Sequence, residues 1–191
     1  ADASANAAFI ASDLLSQAEH GPDSQVILVT SDTTILKQTE VEIKKQLQEL
    51  PRQEIATRSL EHSWLILEED EEKAFDLINA YAPEHLILDC ENPESKLPLI
   101  RNAGSIFLGP WSAEAIGDYA AGPNHTLPTN HYSRAYSGVS LTTFMKKMSV
   151  QKVSKEGFQN ICDTVEILAA SEDLKGHQRA VSIRKEYMQN Q

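Results

Sequence analysis

The 191 residues carry a formal net charge of −11, with 41% hydrophobic and 24% charged side chains, and are enough for one substantial domain plus an appendage. A chain this acidic repels a phosphate backbone unless it hides a basic stripe. Only isolated pairs, Lys146-Lys147 and Arg184-Lys185, are present. Nucleic acid and anionic membrane surfaces are therefore poor partners, and a small molecule is the better expectation. No apolar run is long enough to cross a bilayer, and Ala1-Asp2-Ala3-Ser4 lacks the basic and apolar regions of a secretory signal. Cys90 and Cys162, without CxxC spacing, read as two free thiols in a reducing cytoplasm.

In chain order, Phe9, Ile10, Leu14 and Leu15 fall at helical spacing, which predicts a helix from Ala7 to Glu19, stopped by Gly21-Pro22. Gln25 to Thr30 is a short β-branched run and predicts a buried strand. Ser31-Asp32 can cap the next helix, whose buried face is Leu36, Ile43, Leu47 and Leu50 and which Pro51 ends. Trp64–Leu67 is the next strand, with Trp64 in the core. An acidic turn from Glu68 to Glu72 opens a helix through Phe75, Leu77 and Ile78. His85–Leu88 is a third strand, Asn92-Pro93 starts a short helix through Leu97 and Ile100, and Ser105–Leu108 is a fourth strand.

The alternation predicts an α/β fold with a parallel, Rossmann-like sheet and right-handed crossovers. Uniformly apolar strands imply cover on both faces. The sheet is expected to be incomplete, because the chain opens on a helix with no strand before it. From Pro110 to Val139 the periodicity lapses into a loop rich in Gly, Pro, Asn, Ser and Tyr, a length that points to function. Two helices follow, Val153 to Ala170 and roughly Leu174 to Met188. The expected division is an α/β domain over 1–139 and a helical tail over 140–191.

Four polar groupings could carry chemistry. Gln17 and His20, three residues apart, share a helix face and suit a metal, although any surface helix can carry such a pair. Glu84 and His85 at a helix-to-strand junction form a plausible acid/base pair or a solvated turn. Asp118 and His125, in Gly117-Asp-Tyr-Ala-Ala-Gly-Pro-Asn-His125, offer a carboxylate and an imidazole on a loop that glycines let approach a ligand closely. Glu172 and His177 flank Gly176 in what otherwise reads as a helix–helix turn. His62 and His131 read as surface or packing residues, and Trp111 as a loop anchor or ligand contact. No G-x-G-x-x-G, P-loop, HExxH or G-x-S-x-G is present.

Together the pieces resemble one family. Asp13-Leu-Leu-Ser-Gln-Ala-Glu-His-Gly-Pro22, Tyr81-Ala-Pro-Glu-His-Leu86, Gly104-Ser-Ile-Phe-Leu-Gly109, Gly117 to Pro128 and Val150 to Phe158 are similar to histidinol dehydrogenase, as is the tail around Glu172 and His177. The similarity runs along essentially the whole chain and corresponds to the family's C-terminal portion. It implies an NAD-dependent and zinc-dependent oxidation of L-histidinol to L-histidine through L-histidinal. Gln17, His20, Asp118 and His177 match the zinc ligands, and Glu84 and His85 match the acid/base pair. Gln17, His20, His85, Asp118, His125, Glu172 and His177 match positions that contact substrate or its metal. The resemblance also implies a homodimer in which the helical tail crosses to the neighbouring subunit.

NAD contacts are expected mostly in the family's N-terminal half, so a chain of this extent is expected to be an inactive fragment. Two other readings remain at this level: a zinc-dependent hydrolase using Asp118, His20 and His125 to activate water, and a non-catalytic dimerisation or metal-binding module built on the amphipathic C-terminal helices.

Overall fold

Asn6 caps the first helix, α1 (Ala7–Ala18), accepting from the Ala8 amide at 2.9 Å. Strand β1 (Ile27–Thr30) follows, and Asp32 then caps α2 (Thr33–Leu47) by accepting from the Ile35 amide at 2.8 Å. The buried face of α2 is Ile35, Thr39 and Ile43, one register away from a face centred on Leu36; Leu36 and Leu47 sit half-buried at its margins. A further helix absent from the sequence reading, α3 (Gln53–Leu60), comes two residues after Pro51. No side-chain cap marks its start, and its buried residues, Ala56 and Ser59, are small. The core packs Ala11, Leu15 and Ala18 of α1 against Val26, Ile43 and Ala56. Three of these six are alanines with no exposed surface, so the helices approach closely.

Strand β2 (Trp64–Leu67) pairs in parallel with β1, Ile27 opposite Trp64. Helix α4 (Glu71–Tyr81), capped by Asp70, leads to β3 (His85–Leu88), which pairs in parallel with β4 (Ser105–Leu108), His85 opposite Ser105. The segment between them, Pro93–Leu99, is a 3-10 helix with Pro98 inside it, where the missing amide disfavours an α-helical ladder. Asn79 is the buried residue of α4. Its side chain donates to the Leu99 carbonyl at 2.8 Å and accepts from the Arg101 amide at 2.6 Å, fixing the entry to β4.

Two expectations about the sheet are corrected. The four strands form two separate parallel pairs, not one sheet, among the described residues, which are 1–190 of this computed structural model. The strands are not covered on both faces either: β1 and β3 alternate between buried and half-buried positions, and Trp64, expected in the core, is 61% exposed on an outer strand.

A cavity of about 630 Å³ separates the pairs, lined by Ile27, Leu28 and Val29 on one side and Leu86, Ile87 and Leu88 on the other. At its end the Ala1 amine donates to the Val29 carbonyl at 2.9 Å, while the Asp2 amide donates to the Asp89 carbonyl at 3.3 Å. Successive residues bonding to opposite neighbours is the pattern of a central strand. The gap at that end is therefore one strand wide.

The expected long loop holds structure of its own: α5 (Glu114–Tyr119) and single 3-10 turns at Tyr132–Arg134 and, just beyond it, Leu141–Phe144. His131, at φ 63°, bonds the Tyr81 carbonyl through Nδ1 and meets the Tyr81 ring edge-on, so it packs the loop onto α4.

The chain divides into two compact units at Met145 and Lys146. In the second, α6 (Lys155–Ser171) and α7 (Lys175–Gln189) pair as a hairpin whose turn passes through Asp173 at φ 57°. Ser182 and Lys185 of α7 bond Glu166 of α6 at 2.5 and 3.1 Å. Cys162 and Ala169 are the buried residues of α6, and α7 has none.

Candidate acid/base and metal site

The site gathers where β3 begins. Gly104 makes this possible: a Cβ there would stand 2.5 Å from the Glu84 carbonyl oxygen. Without one, the Gly104 and Ser105 amides donate to the Pro83 and Glu84 carbonyls at 2.9 and 2.8 Å and pin Glu84-His85 at the strand end. A second close approach places α5. A Cβ on Gly117 would lie 2.5 Å from the Phe107 ring, so α5 lies directly on β4. The Phe107 ring in turn stacks at 5.9 Å, tilted, against His85.

The result brackets the His85 imidazole with carboxylates. Its Nδ1 is 3.8 Å from Glu114 Oε1 and its Nε2 is 3.8 Å from Asp118 Oδ1. Nε2 is buried with no hydrogen-bond partner. Burial lowers the His85 pKa, with Asp118 opposing and His20 adding to the effect, which favours a neutral ring. Burial raises the Glu84 pKa, with His20 opposing and Asp118 adding. Glu114, 4% exposed, is pushed up to about 7 by burial, reinforced by Asp118, Asp13 and Glu84. Asp13 is raised to about 6 by burial and by Asp89.

His20, Glu84, His85 and Asp118 thus lie within electrostatic reach of one another, and Gln17 lines the same cavity as Glu84 and His85. His20 is not on the helix with Gln17 as the spacing suggested. It lies in the turn after the Glu19 cap, and its amide donates to the Gln17 carbonyl at 3.3 Å, which keeps it one turn from Gln17. Asp118 sits on α5, not in open loop. His125 is exposed, with no hydrogen bond or ion pair to this cluster among the described residues. Glu172 caps the end of α6 and His177 lies in the first turn of α7; both are exposed, on the second unit.

Sequence reasoning missed Glu114 and Asp13. Asp13 is the single acid of α1, a pattern shared with any solvated surface, whereas Glu114 stands four residues before Asp118 on α5, a helical spacing that could have marked it. An amide oxygen, an imidazole and a carboxylate from Gln17, His20 and Asp118 make a chemically suitable donor set for zinc. The ligating atoms of His85, Glu114 and Asp118 also lie within 4.8 Å of one another.

A family model described as histidinol dehydrogenase matches residues 1–185. The chain belongs to the histidinol dehydrogenase family. It is 51% identical over 184 residues to the histidinol dehydrogenase of Haemophilus influenzae, covering 96% of this chain and 43% of that one. With the histidinol dehydrogenase of Yersinia pestis it shares 49% identity over 190 residues, again 43% of the relative. The crystal structure of histidinol dehydrogenase from Elizabethkingia anophelis superposes with a TM-score of 0.92 at 53% identity, covering 99% of this chain and 44% of that one. The chain therefore spans less than half the length of these histidinol dehydrogenases. No helix among the described residues is long and apolar enough to cross a membrane.

Proposed function

We propose that this chain supplies the acid/base pair and most of the metal ligands for the NAD-dependent oxidation of L-histidinol, through L-histidinal, to L-histidine, and that it is inactive by itself. The observation that carries this reading is the meeting of Glu84, His85, Asp118 and His20, from three separated stretches of sequence, at the start of β3. His85, neutral through burial, accepts the alcohol proton as the carbinol carbon gives up hydride to the dinucleotide. Glu84, made more basic by burial, takes a proton from the water that hydrates the aldehyde before the second oxidation.

Gln17, His20 and Asp118 would hold zinc, with His177 as the remaining ligand. A zinc ion held there would orient the substrate as a Lewis acid and would carry no electrons, since it is redox-silent. Glu172, His125 and His85 would contact the amino alcohol. No Gly-rich dinucleotide fingerprint follows any strand, and no step of NAD binding is assigned to these residues. In a homodimer, Glu172 and His177 on each helical hairpin complete the site of the neighbouring subunit. What supports an intermolecular role is the hairpin's own exposed apolar surface, including Ile167 at 68% and Leu168 at 58%.

Zinc calorimetry tests this. Asp118→Ala and His20→Ala each lower affinity at least about tenfold, and a chain ending before Glu172 binds more weakly than the whole. Equal affinity in all four proteins, or NAD-dependent histidinol oxidation by this chain alone, would sink the reading.

A further inference from the structure

Glu114 is a buried acid with no hydrogen-bonding donor among the described residues, on a helix seated by Gly117 against β4. An uncompensated buried carboxylate is expensive, so its position calls for a partner. The His85 ring is the group it meets, at Nδ1, and the opposite nitrogen, Nε2, is the atom left buried and unpartnered beside Asp118. A neutral imidazole carries one proton, and the hydrogen bond made by one nitrogen decides which nitrogen is free to act as base.

We infer that Glu114 is the positioning residue for His85: it accepts the Nδ1–H, fixes that tautomer and leaves the Nε2 lone pair free on the side of the ring beside Asp118. This deepens the assignment of His85 as the base and rests on it. At 3.8 Å the two groups are in direct contact, and a small rotation of either side chain brings Nδ1 to hydrogen-bond distance of the carboxylate. Burial, reinforced by the carboxylates of Asp118, Asp13 and Glu84, raises the affinity of Glu114 for a proton. A protonated Glu114 still accepts through its carbonyl oxygen, so the role survives in either state. Glu114 touches His85 and not the reacting atoms, and therefore acts through the ring.

The test is the tautomer, read by long-range ¹H–¹⁵N correlation on ¹⁵N-histidine-labelled chain, without substrate, metal or turnover. His85 is expected as the Nδ1–H form in the wild type. It keeps that form in Glu114→Gln, whose amide oxygen also accepts, and loses it in Glu114→Ala. An Nε2–H form in the wild type, or an unchanged tautomer in Glu114→Ala, would overturn the inference. Should Glu114→Ala unfold, the wild-type and Glu114→Gln spectra still decide it. Failure of the zinc or oxidation experiments above would leave this tautomer result standing, so the two readings fall separately.

Discussion

The two units of the chain solve the burial problem differently. Residues 1–145 enclose a core, with Leu15 at 2% exposure and Ala11, Ala18 and Ala56 fully buried between α1, α2 and α3. The α6–α7 hairpin encloses almost none: Ile161, Val165, Ile167, Leu168 and Ile183 all remain exposed, although the helical spacing of their apolar positions is as regular as in the first unit. Amphipathic periodicity thus announces a face that wants burial without saying whether the same chain provides the cover.

The largest expected effect separates the units physically. Residues 1–145 alone keep a cooperative thermal transition, whereas residues 146–191 alone lose most of their helical circular dichroism, since helices of 17 and 15 residues with little mutual burial are marginal in water. A strongly helical isolated hairpin would break the comparison. Next, Leu15→Ala lowers stability by about 2–5 kcal/mol, while Leu168→Ala, at a position 58% exposed, changes it by less than about 0.5 kcal/mol. Denaturant titration of both variants measures this.

A pH effect belongs to the first unit. The folded-state pKa of Glu114 lies at about 7, above the ordinary 4.5 of the unfolded chain. The folded state therefore holds a proton that the unfolded state has released. Its contribution is fully present below the unfolded value and is lost as pH rises through about 7, on the order of 3 kcal/mol across the window. Melting curves from pH 5 to 8 should show stability falling with pH in the wild type and a flatter profile in Glu114→Gln. Equal slopes would remove the buried acid from the account.

The smallest effects set glycine against glycine. Gly104→Ala forces a Cβ onto the Glu84 carbonyl and costs about 1–3 kcal/mol. Gly176→Ala meets nothing within 4 Å in α7 and stabilises by up to about 1 kcal/mol. The same substitution thus has opposite signs in the two units, and thermal shifts of the pair check it.

Much of the fold was legible beforehand. Three strands, Trp64–Leu67, His85–Leu88 and Ser105–Leu108, occur at the residues their apolar runs suggested, because short β-branched and aromatic runs bounded by turn residues have few alternatives. Helix α3 was missed because its eight residues, starting two after Pro51, offer only Ile55, Ala56 and Leu60 as an apolar face, and Trp64 was misplaced because composition cannot tell an outer strand from a covered one. The candidate residues Glu84, His85, Gln17, His20 and Asp118 were singled out as a set through long motifs, not through their own chemistry.

By itself, then, the sequence determined the alternation of elements, the family and the polar residues offered as candidates for its site. Only the tertiary structure decided that the strands split into two pairs around a gap, that His20 leaves the helix carrying Gln17, and that Glu114 joins Asp118 in bracketing His85. These are matters of long-range approach. They depend on the Glu84 carbonyl and the Phe107 ring coming within 2.5 Å of where a Cβ would stand on Gly104 and Gly117, a distance that no local pattern of residues encodes.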